Sequence, residues 1–207
     1  RVKACAVCGS DVHGIDGSTG RRQPPVIMGH EAAGIIEAVG EGVTAYRLGD
    51  RVTFDSTIYC GRCDMCRQGY VNLCADRRVL GVSCDDYRQD GAFAEFVLVP
   101  ERILYRLPDN VSFTQAAMVE PLAIAYHAAT RTPISKGDTV LVVGMGTIGM
   151  LTVEVVRAMG AKLIIAADID DKKLAASRAA GAAHTVNTKD PAALATIRAL
   201  TPGGRGV

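Results

Sequence analysis

The sequence predicts two architectures in series, a β-rich domain followed by an α/β domain on a doubly wound parallel sheet. Three observations carry this. The first part of the chain holds short Val-, Ile- and Phe-bearing segments punctuated by Gly and Pro, the pattern of strands and turns. Beyond Gly137, continuous apolar segments alternate with helix-period ones, as in a parallel sheet wound by right-handed crossovers. The period changes across residues 131–137, so the division is placed between a domain of residues 1–133 and a second of 134–207.

In chain order, residues 32–39 and 95–99 read as strands, bounded by Gly40-Glu41-Gly42, Gly49-Asp50 and Pro100. Ser112 and Gln115 are spaced as a capping box ahead of an Ala-rich helical run. Pro121 disfavours helix at the residue before it, which puts Glu120 at a break between two helical pieces, free to be aimed at a site. Residues 139–143, 163–167 and 184–186 are expected strands, and 147–159 and 171–180 expected helices. Asp190-Pro191 supplies a cap residue and an N-terminal proline for a third helix reaching Leu200.

With 207 residues, 48% hydrophobic and 22% charged, and a formal net charge of +1, the composition is that of a soluble globular protein. It excludes disorder and a nucleic-acid partner gripped by a basic surface. No apolar run approaches the ~18 residues of a membrane span, since Glu154 and Arg157 interrupt the longest candidate. Seven cysteines is an odd number, and four of them fall between Cys60 and Cys74. That clustering points to metal ligation in a reducing compartment, the cytoplasm. The chain opens on Arg1, closes on Gly203-Gly204-Arg205-Gly206-Val207, and holds three strands of a sheet that usually has about six. The expectation is a window truncated at both ends, with only the N-terminal half of the second domain.

Cys60-Gly61-Arg62-Cys63-Asp64-Met65-Cys66 and then Cys74 form C-x2-C-x2-C-x7-C. Two-residue spacers let turns present successive sulfurs to one centre, so four thiolates can close a tetrahedron around Zn²⁺. An iron–sulfur run would close after three residues with Cys-Pro, whereas here the gap is seven and Ala75 follows. With all four positions filled by protein, the zinc is structural. Gly144-Met145-Gly146-Thr147-Ile148-Gly149 is G-x-G-x-x-G directly after an expected strand and opening an expected helix. Asp168 ends the next strand, where it can accept from ribose hydroxyls, and Ile169, Asp170 and Asp171 offer no Arg for a 2′-phosphate. The cofactor read from this is NAD rather than NADP. A third, dispersed set is Cys8-Gly9-Ser10-Asp11-Val12-His13, Gly29-His30-Glu31 and Glu120-Pro121, which together offer the ligand types of a catalytic zinc with one open position.

These segments, in this order and with Gly91-Ala92-Phe93-Ala94-Glu95-Phe96, resemble the zinc-dependent medium-chain alcohol and polyol dehydrogenases. The branch is that of sorbitol, threonine, butanediol and galactitol-phosphate dehydrogenases. The resemblance covers nearly the whole chain. It implies a GroES-like zinc-binding catalytic domain followed by a truncated Rossmann domain that binds NAD. By the same resemblance, Cys8 and His30 ligate the catalytic zinc, Glu31 is a direct or exchanging ligand, and Glu120 is a ligand or the holder of its water. Asp11 orients His30, Ser10 bonds the substrate oxygen, and Ser10 with His13 relays the proton. Ile148 and Lys173 fall where the branch contacts the nicotinamide end and the adenosine ribose. The implied protein carries two Zn²⁺ per chain and oxidises a secondary alcohol or polyol with NAD. It works as a homo-oligomer, dimer or homotetramer, in the cytoplasm and away from membranes. Gly14 departs from the branch, since sorbitol dehydrogenases usually carry an aromatic residue after this histidine, which tells against sorbitol itself as the substrate.

Two rival functions are a zinc-free quinone or enoyl reductase on the same fold, and a non-catalytic zinc module or redox sensor built on the four-cysteine lobe. Cys5 reads as a buried strand residue, Cys84 as a loop thiol, His127 and His184 as core or surface histidines, and Met145 and Met150 as packing around the glycine turn.

Overall fold

The computed structural model describes residues 1–83, 88–201 and 203, so the loop thiol expected at Cys84 lies outside the described residues. The chain forms two compact units, Arg1–Glu120 and Pro121–Val207. Relative to the division read at 133/134, the segment 121–133 goes with the second unit.

The first unit begins with β1 (Val2–Ala6), α1 (Gly9–Ile15), β2 (Glu31–Ile35) and β3 (Arg51–Phe54). A small lobe follows, with β4 (Thr57–Ile58), α2 (Asp64–Arg67) and β5 (Arg78–Val79), and then β6 (Leu104–Arg106) and α3 (Phe113–Ala117). Strands β1-β2-β3-β6 make an antiparallel sheet in that order, while β4 and β5 pair separately. β2 is an interior strand with Glu31, Ala32 and Ala33 buried, so small side chains at its start let the sheet pack tightly. Ala32, Phe54, Leu80, Ala92 and Ile103 form the core.

Two expectations are corrected here. The strand read at 32–39 runs from Glu31 to Ile35, after which only Ile36 bonds back across the sheet, donating to the Asp50 carbonyl at 2.9 Å. Residues 95–99 form no strand. Leu98 is 88% exposed, Pro100 has no donor, and the cross-chain bond at this stretch is Val2 N–H to the Glu95 carbonyl at 2.8 Å.

The capping box at α3 is formed: Gln115 N–H donates to Ser112 Oγ at 3.2 Å, and Ser112 N–H to Gln115 Oε1 at 2.9 Å. The helical break falls at Met118 rather than at Glu120, and α4 (Val119–Thr130) carries Glu120 and Pro121 in its first turn. A proline there removes an N–H that has no helical partner anyway, so it starts the helix instead of breaking it.

The second unit holds most of α4 and then alternates β7 (Thr139–Val143), α5 (Thr147–Ala158), β8 (Leu163–Asp168), α6 (Asp171–Ala180), β9 (His184–Asn187) and α7 (Ala193–Ala199). The strands are parallel in the order β7-β8-β9. Residues 164–168 of the central strand β8 are all buried, which explains its uninterrupted apolar run. Ile164 and Ala166 pack on one face with Val142, Val153, Val156 and Leu174, while Ile165 packs on the other with Val186, Ala193 and Ile197. The third helix begins at Ala193 and not at Pro191, because the Asp190 side chain accepts from Ala192 N–H at 2.8 Å and closes a turn first. Among the described residues, no helix is long and apolar enough to cross a membrane.

Candidate metal centres and nucleotide turn

The small lobe is organised around sulfur. Cys60 follows β4, Cys63 precedes α2, Cys66 lies within it, and Cys74 closes a short turn at 71–73 and is fully buried. Their four Sγ atoms lie within 4.8 Å of one another. Cys60 N–H donates to Cys74 Sγ at 3.2 Å, and Arg62 and Cys63 N–H to Cys60 Sγ at 3.4 Å. Such donors favour thiolates. The Arg62 and Cys63 amides lower the Cys60 thiol, and those of Cys66 and Ala75 bring Cys63 down to about 6. Burial pushes the Cys66 thiol the other way, up to about 12. Four clustered sulfurs fit a tetrahedral Zn²⁺, which favours their thiolates, and leave no position for a substrate.

The second cluster depends on strand register. Ala6 at the end of β1 pairs with Glu31 at the start of β2, so Cys8 just beyond β1 meets His30 and Glu31. One ligand atom from each of the three lies within 4.8 Å of the others. His30 and Glu31 are buried, at 8% and 5% exposure, and burial is the main cause raising the Cys8 thiol. Asp11 sits beneath them at 1% exposure: its Oδ2 accepts Cys8 N–H at 3.1 Å and its Oδ1 lies 3.5 Å from His30 Nδ1. A cysteine, a histidine and a carboxylate, with a buried carboxylate behind the histidine, fit zinc. Glu120 is half-buried and outside this group of three. Burial, with the charges of Glu31 and Asp55, pushes its carboxyl up to about 7, which puts Glu120 within electrostatic range of Glu31.

The two relay residues are not joined to each other. The side chain of His13 is 66% exposed, with Nδ1 3.6 Å from Asp16. Ser10 Oγ instead accepts from Arg22 Nη2 at 3.2 Å. The Arg22 side chain is only 6% exposed and lies 3.5 Å from Asp11 Oδ1. Sequence reading missed this residue because Arg21-Arg22 follows Gly17-Ser18-Thr19-Gly20, which looks like a solvated loop. Gly14 was the available signal.

In the second unit, Gly144 N–H donates to the Ala167 carbonyl at 2.8 Å, and Gly144 has φ +90°, where a side chain would be strained. A Cβ on Gly149 would lie 1.7 Å from the Gly144 carbonyl oxygen, so helix and turn approach to a distance only glycine permits. Met145 is buried beneath the turn, while Gly144, Gly146, Thr147 and Ile148 are exposed at the start of α5. Asp168 Oδ2 accepts from Met145 N–H at 2.5 Å and Oδ1 from Asp170 N–H at 2.9 Å. Those amides hold its carboxyl below its ordinary value. Lys173 is exposed in the first turn of α6, near enough to add a smaller effect of the same sign. Free amides and a helix N-terminus beside an ionised carboxylate fit the pyrophosphate and ribose of a dinucleotide.

Residues 1–109 match the family described as alcohol dehydrogenase GroES-like domain, and residues 147–207 the one described as zinc-binding dehydrogenase. The chain is 37% identical over 210 residues to a sorbitol dehydrogenase of Bacillus subtilis (strain 168), across 100% of this chain and 58% of that protein. An alcohol dehydrogenase from Thermus sp. ATN1 superposes with a TM-score of 0.89 at 33% identity, covering 96% of this chain and 58% of that one. A chain from Sinorhizobium meliloti 1021, assigned to the zinc-binding dehydrogenases and solved bound to NADP, gives a TM-score of 0.88 at 36% identity over 100% of this chain and 57% of its own. The chain thus spans somewhat more than half the length of these proteins.

Proposed function

The chain belongs to the zinc-dependent medium-chain alcohol dehydrogenase family, and on that premise we propose that the protein passes a hydride from a secondary alcohol or polyol to NAD. The observation that supports this best is the Cys8–His30–Glu31 cluster, with His30 and Glu31 buried and Cys8 partly so, since a zinc-free quinone or enoyl reductase has no use for it. A polyol is favoured because the Bacillus relative is named a sorbitol dehydrogenase and a carboxylate, Glu120, flanks the cluster.

When bound, zinc supplies Lewis acidity that makes a hydroxyl acidic, and NAD supplies the hydride acceptor. The chain's residues do the rest. Cys8 and His30 hold the metal, with Glu31 or Glu120 completing the set. Asp11 fixes the His30 ring. Ser10 takes the hydrogen bond of the substrate oxygen, and His13, exposed beside Asp16, is suited to hand the proton to water. The thiolates of Cys60, Cys63, Cys66 and Cys74 hold a structural zinc. Gly144, Gly146, Thr147, Ile148 and Gly149 cradle the pyrophosphate and nicotinamide side, and Asp168 and Lys173 the adenosine ribose. Asp168, followed by Asp170 and Asp171, disfavours a 2′-phosphate, so NAD is taken over NADP.

We assign residues 1–133 to the catalytic domain and 134–207 to the nucleotide domain, in a cytoplasmic homo-oligomer. Intact protein should hold about two zinc ions per chain and lose dehydrogenase activity when the more labile one is chelated. A screen of sugar alcohols, their phosphates, threonine and vicinal diols with NAD and NADP tests the reading. Alkene reduction without ketone reduction, or full activity after zinc removal, would overturn it.

A further inference from the structure

Arg22 is an internal cation in a loop that the sequence presents as surface. Its Nη2 lies 3.5 Å from Asp11 Oδ1 and donates to Ser10 Oγ at 3.2 Å. Asp11 Oδ1 also lies 3.5 Å from His30 Nδ1, and its Oδ2 holds Cys8 N–H. Arg22 Nε, Asp11 Oδ1 and His30 Nδ1 are all buried without a hydrogen-bond partner, so a shift of a few tenths of an ångström closes two bonds through the one oxygen. The guanidinium is the basic partner that faces this buried carboxyl group from the loop. Asp11 Oδ1 can then accept His30 Nδ1–H, which leaves Nε2 on the side of Glu31, 4.0 Å from its Oε1.

Gly14 belongs to the same device. It is buried in α1, and a Cβ there would meet Arg22 Cγ at 2.2 Å, Cβ at 2.9 Å and Cδ at 3.4 Å. These are the three nearest atoms, so alanine, which suits a helix otherwise, is barred by the Arg22 stem alone. Gly14 is the slot through which Arg22 reaches Asp11.

We propose that Arg22, seated across Gly14, is a positioning residue that holds Ser10 directly and sets Asp11, and through it His30 and Cys8, in the geometry that takes the metal. This rests on the reading of Cys8, His30 and Glu31 as a zinc site. The test measures zinc stoichiometry, affinity by chelator competition, and the ligand-field absorption of cobalt-substituted protein, for wild type, Arg22→Met, Arg22→Lys and Gly14→Ala. Circular dichroism and the thermal midpoint report that the protein is still folded, and the four-cysteine zinc, far in sequence from the change, serves as the internal reference for metal content.

The expectation is that Arg22→Met and Gly14→Ala keep that zinc while affinity at the other site falls about 10- to 100-fold and its cobalt bands shift. Arg22→Lys, which keeps the charge without the planar fork, should recover part of the loss. Wild-type affinity and an unchanged cobalt spectrum in both Arg22→Met and Gly14→Ala would overturn the proposal while leaving the zinc site standing. A wild-type protein that binds only the four-cysteine zinc would overturn the site reading as well.

Discussion

At the scale of single residues, the least comfortable carboxyl is Glu120. Its proton is held up to about pH 7, by burial first and by Glu31 and Asp55 after it, against an ordinary value of 4.5. The unfolded chain releases that proton near its ordinary value, so between the two values the folded state binds more protons than the unfolded. Stability must therefore fall as pH rises through this window. For metal-free protein, the unfolding free energy from denaturant titration should decline from pH 4.5 to 7.5, by no more than about 2 kcal/mol because the side chain is only partly withdrawn from water. Glu120→Gln should flatten that decline. An unchanged slope in the variant would mean that another group is responsible.

At the scale of elements, the four-cysteine lobe has almost no hydrophobic support of its own. β4 and β5 are two residues each, and α2 is a single turn without a buried side chain. Such pieces hold shape through a shared ligand, so metal binding and local folding are the same event. Cys74→Ser should remove one zinc per chain by elemental analysis. It should also lower the thermal midpoint by several degrees and raise amide exchange across residues 60–79, while the parallel sheet of the second unit stays protected. Loss of protection in the second sheet to the same degree would contradict this independence.

At the scale of the whole molecule, what could be read from sequence was what is local. The cysteine spacing, the glycine turn with Asp168, the capping box at Ser112 and Gln115, and the strand–helix alternation after Thr139 each lie within a short window whose chemistry is self-contained. The β1-β2-β3-β6 order was not readable, because pairing β3 with β6 joins segments separated by the entire cysteine lobe. Nor was the burial of Arg22, since a cation's partner is set by the fold and not by its neighbours in the chain. The break at Met118 was misplaced for a related reason: a proline rule about the preceding residue gives way when the proline opens a helix.

The two adjoining residues His30 and Glu31, which we propose as ligands, with Cys8 upstream, bracket a stretch whose turns at Gly17 and Gly20 are exposed and whose Arg21 is exposed to solvent. The β1–β2 pairing already brings the ends of that stretch together, and a metal joining them would clamp the loop further, which narrows the conformations in which a protease could thread it. Limited trypsin digestion should cut after Arg21 or Arg22 much faster once the labile zinc is stripped, and added zinc should slow the cut again. Equal cutting rates with and without zinc would show that the loop is held independently of the metal. Cleavage kinetics would then record occupancy of this centre with no substrate or cofactor in the tube.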